Sequence, residues 1–296
     1  MGLYLGWAIL IVQLESLTQL SPMIDKLSIV LNEIDVFAVK NAFGASIECR
    51  PLDKHYGLVQ AFSDVSKGHL FTAYSRPKNR IVTNFKIELN PSKLGLNLNQ
   101  LIQMLDFGMD VDKAKIMRID HAVDFEIPVL TAFETVRVKH KRTVKGFTQF
   151  TDYLDGQLTG FYIGKVNQLA VYDKKLERRW KEVEFCLPHT SESPSTRFEM
   201  RHFKGSSEFK KIHDLRFLSD YDPFSKIEVL ELKQKGDEFE PFKRKNSSHG
   251  FHNSYKNLNR QNNFRRDILR YFDVSDLPKK LASIYREKIT EKFLSP

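Results

Sequence analysis

The sequence predicts an α+β protein with a largely antiparallel sheet, helices on one face of that sheet, and a smaller helix-rich part at the carboxyl end. Short strand-like runs follow one another between residues 23 and 203, mostly separated by turn or polar residues. Two segments interrupt them with helical spacing. After about residue 207 the apolar spacing becomes mainly helical. A sheet covered on one face leaves its other face available for a ligand.

The strand-like runs are short and rich in β-branched and aromatic side chains, as is typical of sheet proteins. Most of them are bounded by residues that favour turns. In chain order they are IDKLSIVL, ASIEC, GLVQAF, HLFTAY, IVTNFKIEL, IMRIDHAVDF, GFYIG, LAVYD, VEFC and TRFEMRHF.

Four segments have the spacing of amphipathic helices. The first follows Asn97, a suitable N-cap, and is expected to stop by Gly108. The second is expected to begin near Pro128, and the other two lie in the carboxyl-terminal third. The apolar positions that define the four helices are Leu98, Leu101, Ile102 and Leu105; Leu130, Phe133 and Val136; Phe209, Ile212 and Leu215; and Leu281, Ile284, Tyr285 and Ile289.

The composition favours a globular protein with a polyanionic partner. The 296 residues include 46 Lys and Arg against 37 Asp and Glu, which gives a formal charge of +9 and a pI near 9.3. The alternative is a basic surface without a specific partner. Cys49 and Cys186 are far apart and form no CxxC motif, so neither a disulfide framework nor a structural zinc site is indicated. A reducing cytoplasm is the expected location.

The first residues form an apolar segment, LYLGWAILIVQL, which is shorter than the about 20 apolar residues that span a bilayer. It lacks the basic residues and cleavage pattern of a secretory signal. An upstream-start artefact or a dispensable tail is the favoured interpretation, and a peripheral membrane anchor is the alternative. The expected division of the chain is an extension at 1–22, a strand-rich domain at 23–207, and a helix-rich region at 208–296 with a basic loop at 242–270.

Carboxylates recur on two of the predicted strands. In MRIDHAVDFE the strand period of two places Asp120 and Asp124 on one face, together with Arg118. In TRFEMRHF the same period groups Glu199 with Arg197. If the two strands are neighbours, Asp120 and Glu199 can share a hard divalent cation, which prefers oxygen ligands. The alternative is a solvated charged face with Arg–carboxylate pairs.

A tyrosine near the end of the LAVYD run is the candidate nucleophile. Tyr172 is followed by Lys174, which the strand period places on the same face. An unperturbed phenol has a pKa near 10, so it needs a metal ion or a nearby cation to act at neutral pH. The alternative is ordinary packing, since the chain has ten tyrosines.

The order of the motifs resembles a known family. MIDKLSIVL, HYG, FKIELNPSKL, RID, VYDKKLE and RFE follow one another between Met23 and about Phe203. This order resembles the gene II-type replication initiators of filamentous phages, the phage/plasmid replication protein II/X family, and the wider group of plasmid rolling-circle initiators and transfer relaxases. The resemblance implies a metal-dependent endonuclease that nicks one DNA strand at an origin, stays attached through a 5′-phosphotyrosine, and rejoins the displaced strand.

The resemblance also implies a role for each candidate residue. Tyr172 matches the nucleophile and Lys174 the cation beside it. Asp120 and Glu199 match the acidic positions expected to hold Mg²⁺ or Mn²⁺. Asp124 matches a second acid found in plasmid-type relatives, a position that is not acidic throughout the phage group.

The pair of histidines that many nicking enzymes use for their metal is absent from this sequence. His121 follows Asp120 and points away from it, so we interpret it as a packing or supporting residue. The resemblance therefore implies a carboxylate-rich metal site, with His55 as a weaker outside candidate.

Two basic runs are candidates for holding DNA. The first lies between residues 137 and 145, and the second, at 242–270, has aromatic residues among its basic ones. Rings stack on bases while Lys and Arg contact phosphates, which suits single-stranded or distorted DNA. A solvated face or a disordered loop is the alternative for each. The candidate DNA-binding residues are Lys139, Lys141, Arg142, Lys243, Arg244, Lys245, Arg265 and Arg266.

Three functions remain compatible with the sequence. The first is a rolling-circle replication initiator, and the second is a conjugative relaxase with the same chemistry at a transfer origin. The third is a DNA-binding regulator that has lost catalysis. The expected partners are origin DNA, supercoiled or single-stranded, and a host helicase, with no stable membrane partner.

Overall fold

A computed structural model confirms the predicted α+β class, with a large antiparallel sheet, several short helices and a helix near the carboxyl end. No helix within the described ranges is long and apolar enough to cross a membrane. The structure describes residues 23–35, 48–49, 58–64, 68–78, 81–106, 111–125, 128–138, 149–154, 157–176, 196–232 and 272–295.

Most of the predicted strands form where the sequence places them. VEFC and the predicted helix stop at Gly108 lie outside the described residues. The strands are β1 Met23–Asp35, β2 Glu48–Cys49, β3 Leu58–Asp64, β4 Gly68–Lys78, β5 Ile81–Leu89, β6 Lys115–Phe125, β7 Val136–Val138, β8 Gln149–Leu154, β9 Gln157–Ile163, β10 Asn167–Asp173, β11 Thr196–His202, β12 Ile227–Leu232 and β13 Phe272–Val274.

The helices also follow the apolar spacing, with two corrections. Phe209, expected in the third helix, lies before it, because that helix is a 3₁₀ helix that begins at Ile212. Val136 was predicted inside the second helix but begins β7, where it pairs with Val229 of β12. A β-branched residue suits a strand better than the end of a helix. The helices are α1 Pro91–Leu94, α2 Leu98–Leu105, α3 Val129–Thr135 and α4 Leu277–Lys292, and the 3₁₀ helices are η1 Val111–Lys113 and η2 Ile212–Asp220.

The start of α2 and the pitch of η2 follow directly from the sequence. The side chain of Asn97 accepts a hydrogen bond from the Gln100 amide at 2.8 Å, and the Gln100 side chain accepts one from the Asn97 amide at 3.0 Å. This reciprocal pair is a capping box. In η2 every third residue is buried, as three residues per turn requires. The buried positions are Ile212, Leu215 and Leu218.

The chain forms two compact units, each assembled from separate stretches of sequence. The unit that contains β1, called here the β1 unit, consists of Pro22–Ala122, Arg201–Tyr221 and Tyr285–Pro296. The unit that contains β10, called here the β10 unit, consists of Met1–Ser21, Val123–Met200 and Asp222–Ile284. The predicted domain boundary near residue 207 stays a prediction.

Each unit has its own run of hydrogen-bonded strands. In the β1 unit the order is β2, β3, β4, β5, β1 and β6, and every neighbouring pair is antiparallel. In the β10 unit the order is β11, β10, β9 and β8, with β8–β9 and β9–β10 antiparallel. That unit also holds a three-stranded sheet in the order β13, β12 and β7. Most neighbours are consecutive in sequence, as expected for hairpin connections.

Strand β6 is buried on both faces over most of its length. Buried polar groups need partners, so a strand in this position must supply them for its Asp and His side chains. The buried residues on the two faces are Asp120, Ala122 and Asp124, and Ile119, His121 and Val123.

His121 lies at the centre of an aromatic cluster in the β1 unit, which confirms that it is a packing residue. Its Nδ1 lies 2.5 Å from the hydroxyl of Tyr285, and its ring centroid is 5.7 Å from that of His202. The Tyr221 hydroxyl lies 3.0 Å from Nε2 of His202, and its ring centroid is 5.1 Å from that of His121. Phe209 completes the cluster.

Burial governs the ionisation of this cluster. It lowers the pKa of His121 well below its ordinary value, and a positive charge on His202 lowers it further. Burial also raises the pKa of the Tyr285 phenol well above its ordinary value, so this group stays neutral. Within the described part of the chain, Nε2 of His121 has no hydrogen-bond partner. The cluster therefore contains a neutral imidazole, and protonation of His121 opposes folding.

We expect acid to destabilise the protein through His121. The pKa of His121 is lower in the folded chain than in the unfolded chain. As the pH falls below about 6.5, His121 of the unfolded chain therefore binds a proton while His121 of the folded chain stays neutral. The free energy of unfolding should then fall by up to about 1.4 kcal/mol per pH unit from this one group. Urea unfolding of the intact chain from pH 7.5 to 5 measures the slope.

His121→Gln should flatten this slope by about one proton. His213→Gln is the matched control, because His213 is 44% exposed and pairs with Asp112. An unchanged slope in His121→Gln would contradict the assignment.

Candidate active site

Tyr172 lies near the end of β10 in the β10 unit, on the strand face opposite to a packed core. Its neighbour Val171 pairs with Phe161 of β9, and the Phe161 ring packs edge-on against Phe133 of α3 with centroids 5.3 Å apart. Val171 and Phe161 are buried. Because successive side chains of a strand point to opposite faces, Tyr172 points away from the face that α3 covers. Its side chain is half-buried.

A glycine lies directly opposite Tyr172, where β9 and β10 approach each other closely. Tyr172 pairs with Gly160 of β9. A Cβ at Gly160 would lie 3.0 Å from the Tyr172 Cβ and 3.2 Å from the Val171 carbonyl oxygen, which is closer than ordinary van der Waals contact. A side chain at this position would clash with the Cβ of Tyr172 and the backbone of Val171, so the close approach of the two strands requires glycine here.

Lys174 lies beside the tyrosine, although not on the strand as the sequence predicts. The strand ends at Asp173 and a helical turn begins at Lys174, capped by a hydrogen bond from the Leu176 amide to the Asp173 carboxylate at 3.0 Å. The ammonium nitrogen of Lys174 lies 5.6 Å from the centroid of the Tyr172 ring, and the side chain is 7% exposed. The structure therefore places a buried cation next to the candidate nucleophile.

Asp124 forms a buried ion pair in the same unit. Nε and Nη2 of Arg197 donate hydrogen bonds to the two carboxylate oxygens of Asp124 at 2.5 and 2.7 Å. Both residues are buried, and they lie on β6 and β11, which are neighbouring strands. This is the bidentate geometry that matches a guanidinium to a carboxylate. Glu199, two residues along β11, is also buried, with 2% of its surface exposed.

Asp120 belongs to the β1 unit and is also held by an arginine. Arg118, two residues before it on β6, donates to both carboxylate oxygens at 2.8 and 2.5 Å. The Arg118 guanidinium also lies 4.4 Å from the centroid of the Phe203 ring. Burial raises the pKa of the Asp120 carboxyl above its ordinary value, although the hydrogen bonds from Arg118 act in the opposite direction.

The carboxylates are suited by type to a divalent cation, but their present partners occupy them. Mg²⁺ and Mn²⁺ prefer oxygen ligands. Asp120 and Asp124 each direct both oxygens at a guanidinium group. In the described ranges no group of three or more His, Cys, Asp or Glu side chains could hold a metal ion. In this conformation the residues do not fit the cation. The two aspartates form the Arg–carboxylate pairs of the alternative, but their carboxylates are buried and not on a solvated face.

The candidate DNA-binding residues all lie outside the residues that the structure describes. Lys139, Lys141 and Arg142 lie outside the described residues, and so do the five basic residues predicted from the 242–270 loop. The same holds for His55. All of them stay predictions.

Two features of the site were not predicted from the sequence. Gly160 is the first, although a glycine inside a strand-like run is a recognised sign of close approach. The second is the specific pairing of Asp124 with Arg197, which depends on the order of strands that are 73 residues apart in sequence. No local pattern encodes that order.

Comparison with known proteins gives a structural likeness but no family. No protein-family model matches this chain, and no curated protein matches it. Among solved structures, a rolling-circle replication initiator protein from Geobacillus stearothermophilus is similar at 14% identity with a TM-score of 0.41. The match covers 74% of this chain and 89% of that one. A TM-score of this size assigns neither a fold family nor an activity.

We expect Arg197→Met to destabilise the protein strongly. Removal of one partner leaves the carboxylate of Asp124 buried without a counterion, which costs about 3–5 kcal/mol. The double variant Arg197→Met with Asp124→Leu should recover most of this loss, because no buried charge remains. Urea unfolding of the single and double variants measures both.

Arg216→Met is the matched control. Arg216 is exposed and lies over the exposed ring of Phe217, so its replacement should change the free energy of unfolding by less than about 0.5 kcal/mol. Equal effects of the Arg197 and Arg216 variants would contradict a structural role for the buried pair.

Proposed function

We propose that this chain is a DNA nicking–joining enzyme in which Tyr172 is the nucleophile. The observation that carries the proposal is the setting of this tyrosine. Its ring lies on the face opposite to the packed core, beside a glycine and next to the ammonium of Lys174. Ordinary packing does not require a buried ammonium beside a tyrosine ring. The order of the RID, VYDKKLE and RFE motifs supports the same role.

The proposed step is a transesterification. The Tyr172 hydroxyl oxygen forms a bond to phosphorus and loses its proton to water, and the bond from phosphorus to the 3′ oxygen breaks. The leaving oxygen takes up a proton, which gives a free 3′-hydroxyl and a 5′-phosphotyrosine. The reverse attack by a 3′-hydroxyl rejoins the strand, since the phosphodiester energy is kept in the protein–DNA bond.

Lys174 would act by charge and position. An ammonium this close to the phenol favours negative charge on its oxygen and on the attacked phosphate. The lysine is held in place because Asp173 caps the helical turn that starts at Lys174. Its burial reduces screening by water and salt, which strengthens the interaction.

The biological role that we propose is initiation of rolling-circle replication at an origin, with a host helicase as partner and the cytoplasm as location. A conjugative relaxase would use the same tyrosine on a transfer origin. The motif order favours the initiator, because it resembles the phage gene II-type proteins over most of Met23 to about Phe203.

A regulator that binds DNA without cleaving it is the second candidate. The observation that favours it is the pairing of Asp120 with Arg118 and of Asp124 with Arg197. Carboxylates held by guanidinium groups serve the fold whether or not the protein cleaves DNA. The two candidates differ in one readout, the covalent adduct between protein and DNA.

We expect Tyr172→Phe to abolish nicking. The intact chain and its variant are incubated with supercoiled plasmid carrying the origin, and covalent adducts are counted after denaturation. Loss of the nucleophilic oxygen should lower adduct formation by at least about a thousandfold. Lys174→Gln should lower it by about a hundredfold, as expected when one transition-state charge contact is lost.

Tyr162→Phe is the matched control, because Tyr162 is also half-buried on β9 and pairs with Ala170. It should nick at the wild-type rate. Adducts formed equally by Tyr172→Phe would exclude Tyr172 as the nucleophile. DNA binding without any adduct from the wild-type chain would favour the regulator.

We also propose that cleavage depends on Mg²⁺ or Mn²⁺, as the family resemblance implies. A bound cation would neutralise charge on the scissile phosphate. Asp124 and Glu199 are the proposed ligands in the β10 unit, where Asp124 would have to exchange a guanidinium for the metal. Asp120 is proposed as a ligand from the family resemblance alone. We expect EDTA to abolish nicking by the wild-type chain and added Mn²⁺ or Mg²⁺ to restore it.

Glu199→Gln should raise the metal concentration needed for half-maximal nicking by about tenfold or more, since one carboxylate ligand is lost. Glu228→Gln is the control, because Glu228 pairs with Arg137 and is not a proposed ligand. Full nicking in EDTA would contradict the metal requirement and leave the assignment of Tyr172 standing.

A further inference from the structure

Four exposed lysines converge at one place in the β1 unit, and none of them belongs to the basic runs in the sequence. Lys115 at the start of β6 forms an isolated antiparallel bridge with Lys211. The Ile116 amide donates to the carbonyl of Lys210 at 2.8 Å. The Gly205 amide donates to the carbonyl of Met117 at 2.9 Å, which brings in the turn that follows β11. The lysine cluster, as named here, is Lys115, Lys204, Lys210 and Lys211.

The positive charges of the lysine cluster repel one another. Lys115 and Lys211 face each other directly across the bridge, and like charges in that position repel. Within the described residues neither side chain has an ion-pair partner. The ammonium of Lys210 donates to the Gly205 carbonyl, which adds a third positive charge beside the turn.

The backbone at Lys204 is strained as well. Lys204 has φ of 56° and Gly205 has φ of 67°, and the Ser206 amide donates to the Phe203 carbonyl at 3.0 Å. A turn with two positive φ values favours Asn or Gly at its first central position. A lysine there costs roughly 1–2 kcal/mol. Strain of this kind at an exposed residue points to a function for the side chain.

Within the part of the chain that the structure describes, the nearby acids form no ion pair with the lysine cluster. Asp214 accepts hydrogen bonds from the amides of Lys210 and Lys211, both at 2.8 Å, so its oxygens are directed at the backbone. Asp112 pairs with His213. Glu208 is exposed between the turn and Lys210. The ammonium groups of the cluster therefore face solvent with most of their hydrogen-bonding capacity available.

We infer that the lysine cluster binds the phosphodiester backbone of DNA. The proposed function supplies the identity of the polyanion, which is DNA. The structure supplies the position of the surface that binds it. Closely spaced phosphates relieve the repulsion between Lys115 and Lys211, which a single small anion does only in part. Lysine ammonium groups contact phosphate as point charges and read no bases, so this surface holds DNA without selecting a sequence.

The test measures DNA binding by the full chain in the Tyr172→Phe background, so that no covalent adduct forms. Fluorescence anisotropy follows binding to labelled single-stranded and duplex DNA of arbitrary sequence between 50 and 200 mM salt. The triple variant Lys115→Gln, Lys204→Gln, Lys211→Gln should bind about tenfold or more weakly at 0.1 M salt. Its slope of log affinity against log salt should be smaller by about two to three.

The matched control removes three other exposed lysines, through Lys226→Gln, Lys279→Gln and Lys292→Gln. It has the same net charge as the cluster variant and should keep the parental salt slope. Equal losses in the two triple variants would show a net-charge effect and overturn the inference. Binding of the parent to phosphatidylserine vesicles but not to DNA would overturn it in favour of a membrane surface.

Lys204→Gly separates ligand binding from folding. Relief of the positive φ should raise the free energy of unfolding by up to about 1 kcal/mol, while DNA affinity falls about threefold with the loss of one phosphate contact. Unchanged affinity in the more stable variant would contradict a role for this side chain. Failure of the proposed function has a different signature, which is normal cluster-dependent DNA binding without any adduct from the wild-type chain.

Discussion

The structure depends on how strand β6 satisfies its polar side chains. The strand is buried on both faces, so each ionisable group must find a partner there or stay neutral. Arg118 neutralises Asp120, Arg197 neutralises Asp124, and His121 stays uncharged against Tyr285. Each carboxylate that resembles a metal ligand in the sequence therefore has an arginine nearby. For Asp120 this arginine is two residues earlier on the same strand, and for Asp124 it lies on the neighbouring strand.

The candidate site on β10 is positioned by apolar packing and not by ion pairs. Its core face is filled by apolar side chains from β9, β10 and α3, and this packing fixes the strand so that every second residue points the other way. On that second face the chain has Gly160 where a side chain would crowd Tyr172. Rigid packing on one face thus positions a tyrosine and a lysine on the other, which is the arrangement that a reactive group needs.

Much of the fold could be predicted from the sequence because local patterns determine it. The strand runs, the capping box of Asn97 and the α4 helix each depend on neighbours within a few residues. Val136 was misassigned because helical spacing alone cannot detect a strand partner such as Val229. Of the candidate site, the sequence predicts Lys174 beside Tyr172 but places it on the strand, since the strand period does not detect the helical turn that begins at Lys174. The Asp124–Arg197 pair and the His121 cluster required the order of distant strands, which no spacing encodes.

The discontinuity of the β1 unit has a consequence for the order of folding during synthesis. His121 shares a hydrogen bond with Tyr285, which is 164 residues later, and the amide of Leu98 donates to the carbonyl of Phe293. Strands β1 to β6 leave the ribosome long before these partners exist, and their closing contacts are of very high sequence separation. The β1 unit therefore completes its core only after Tyr285 and Phe293 have been synthesised, so a ribosome that stalls before Tyr285 leaves the imidazole of His121 without this partner.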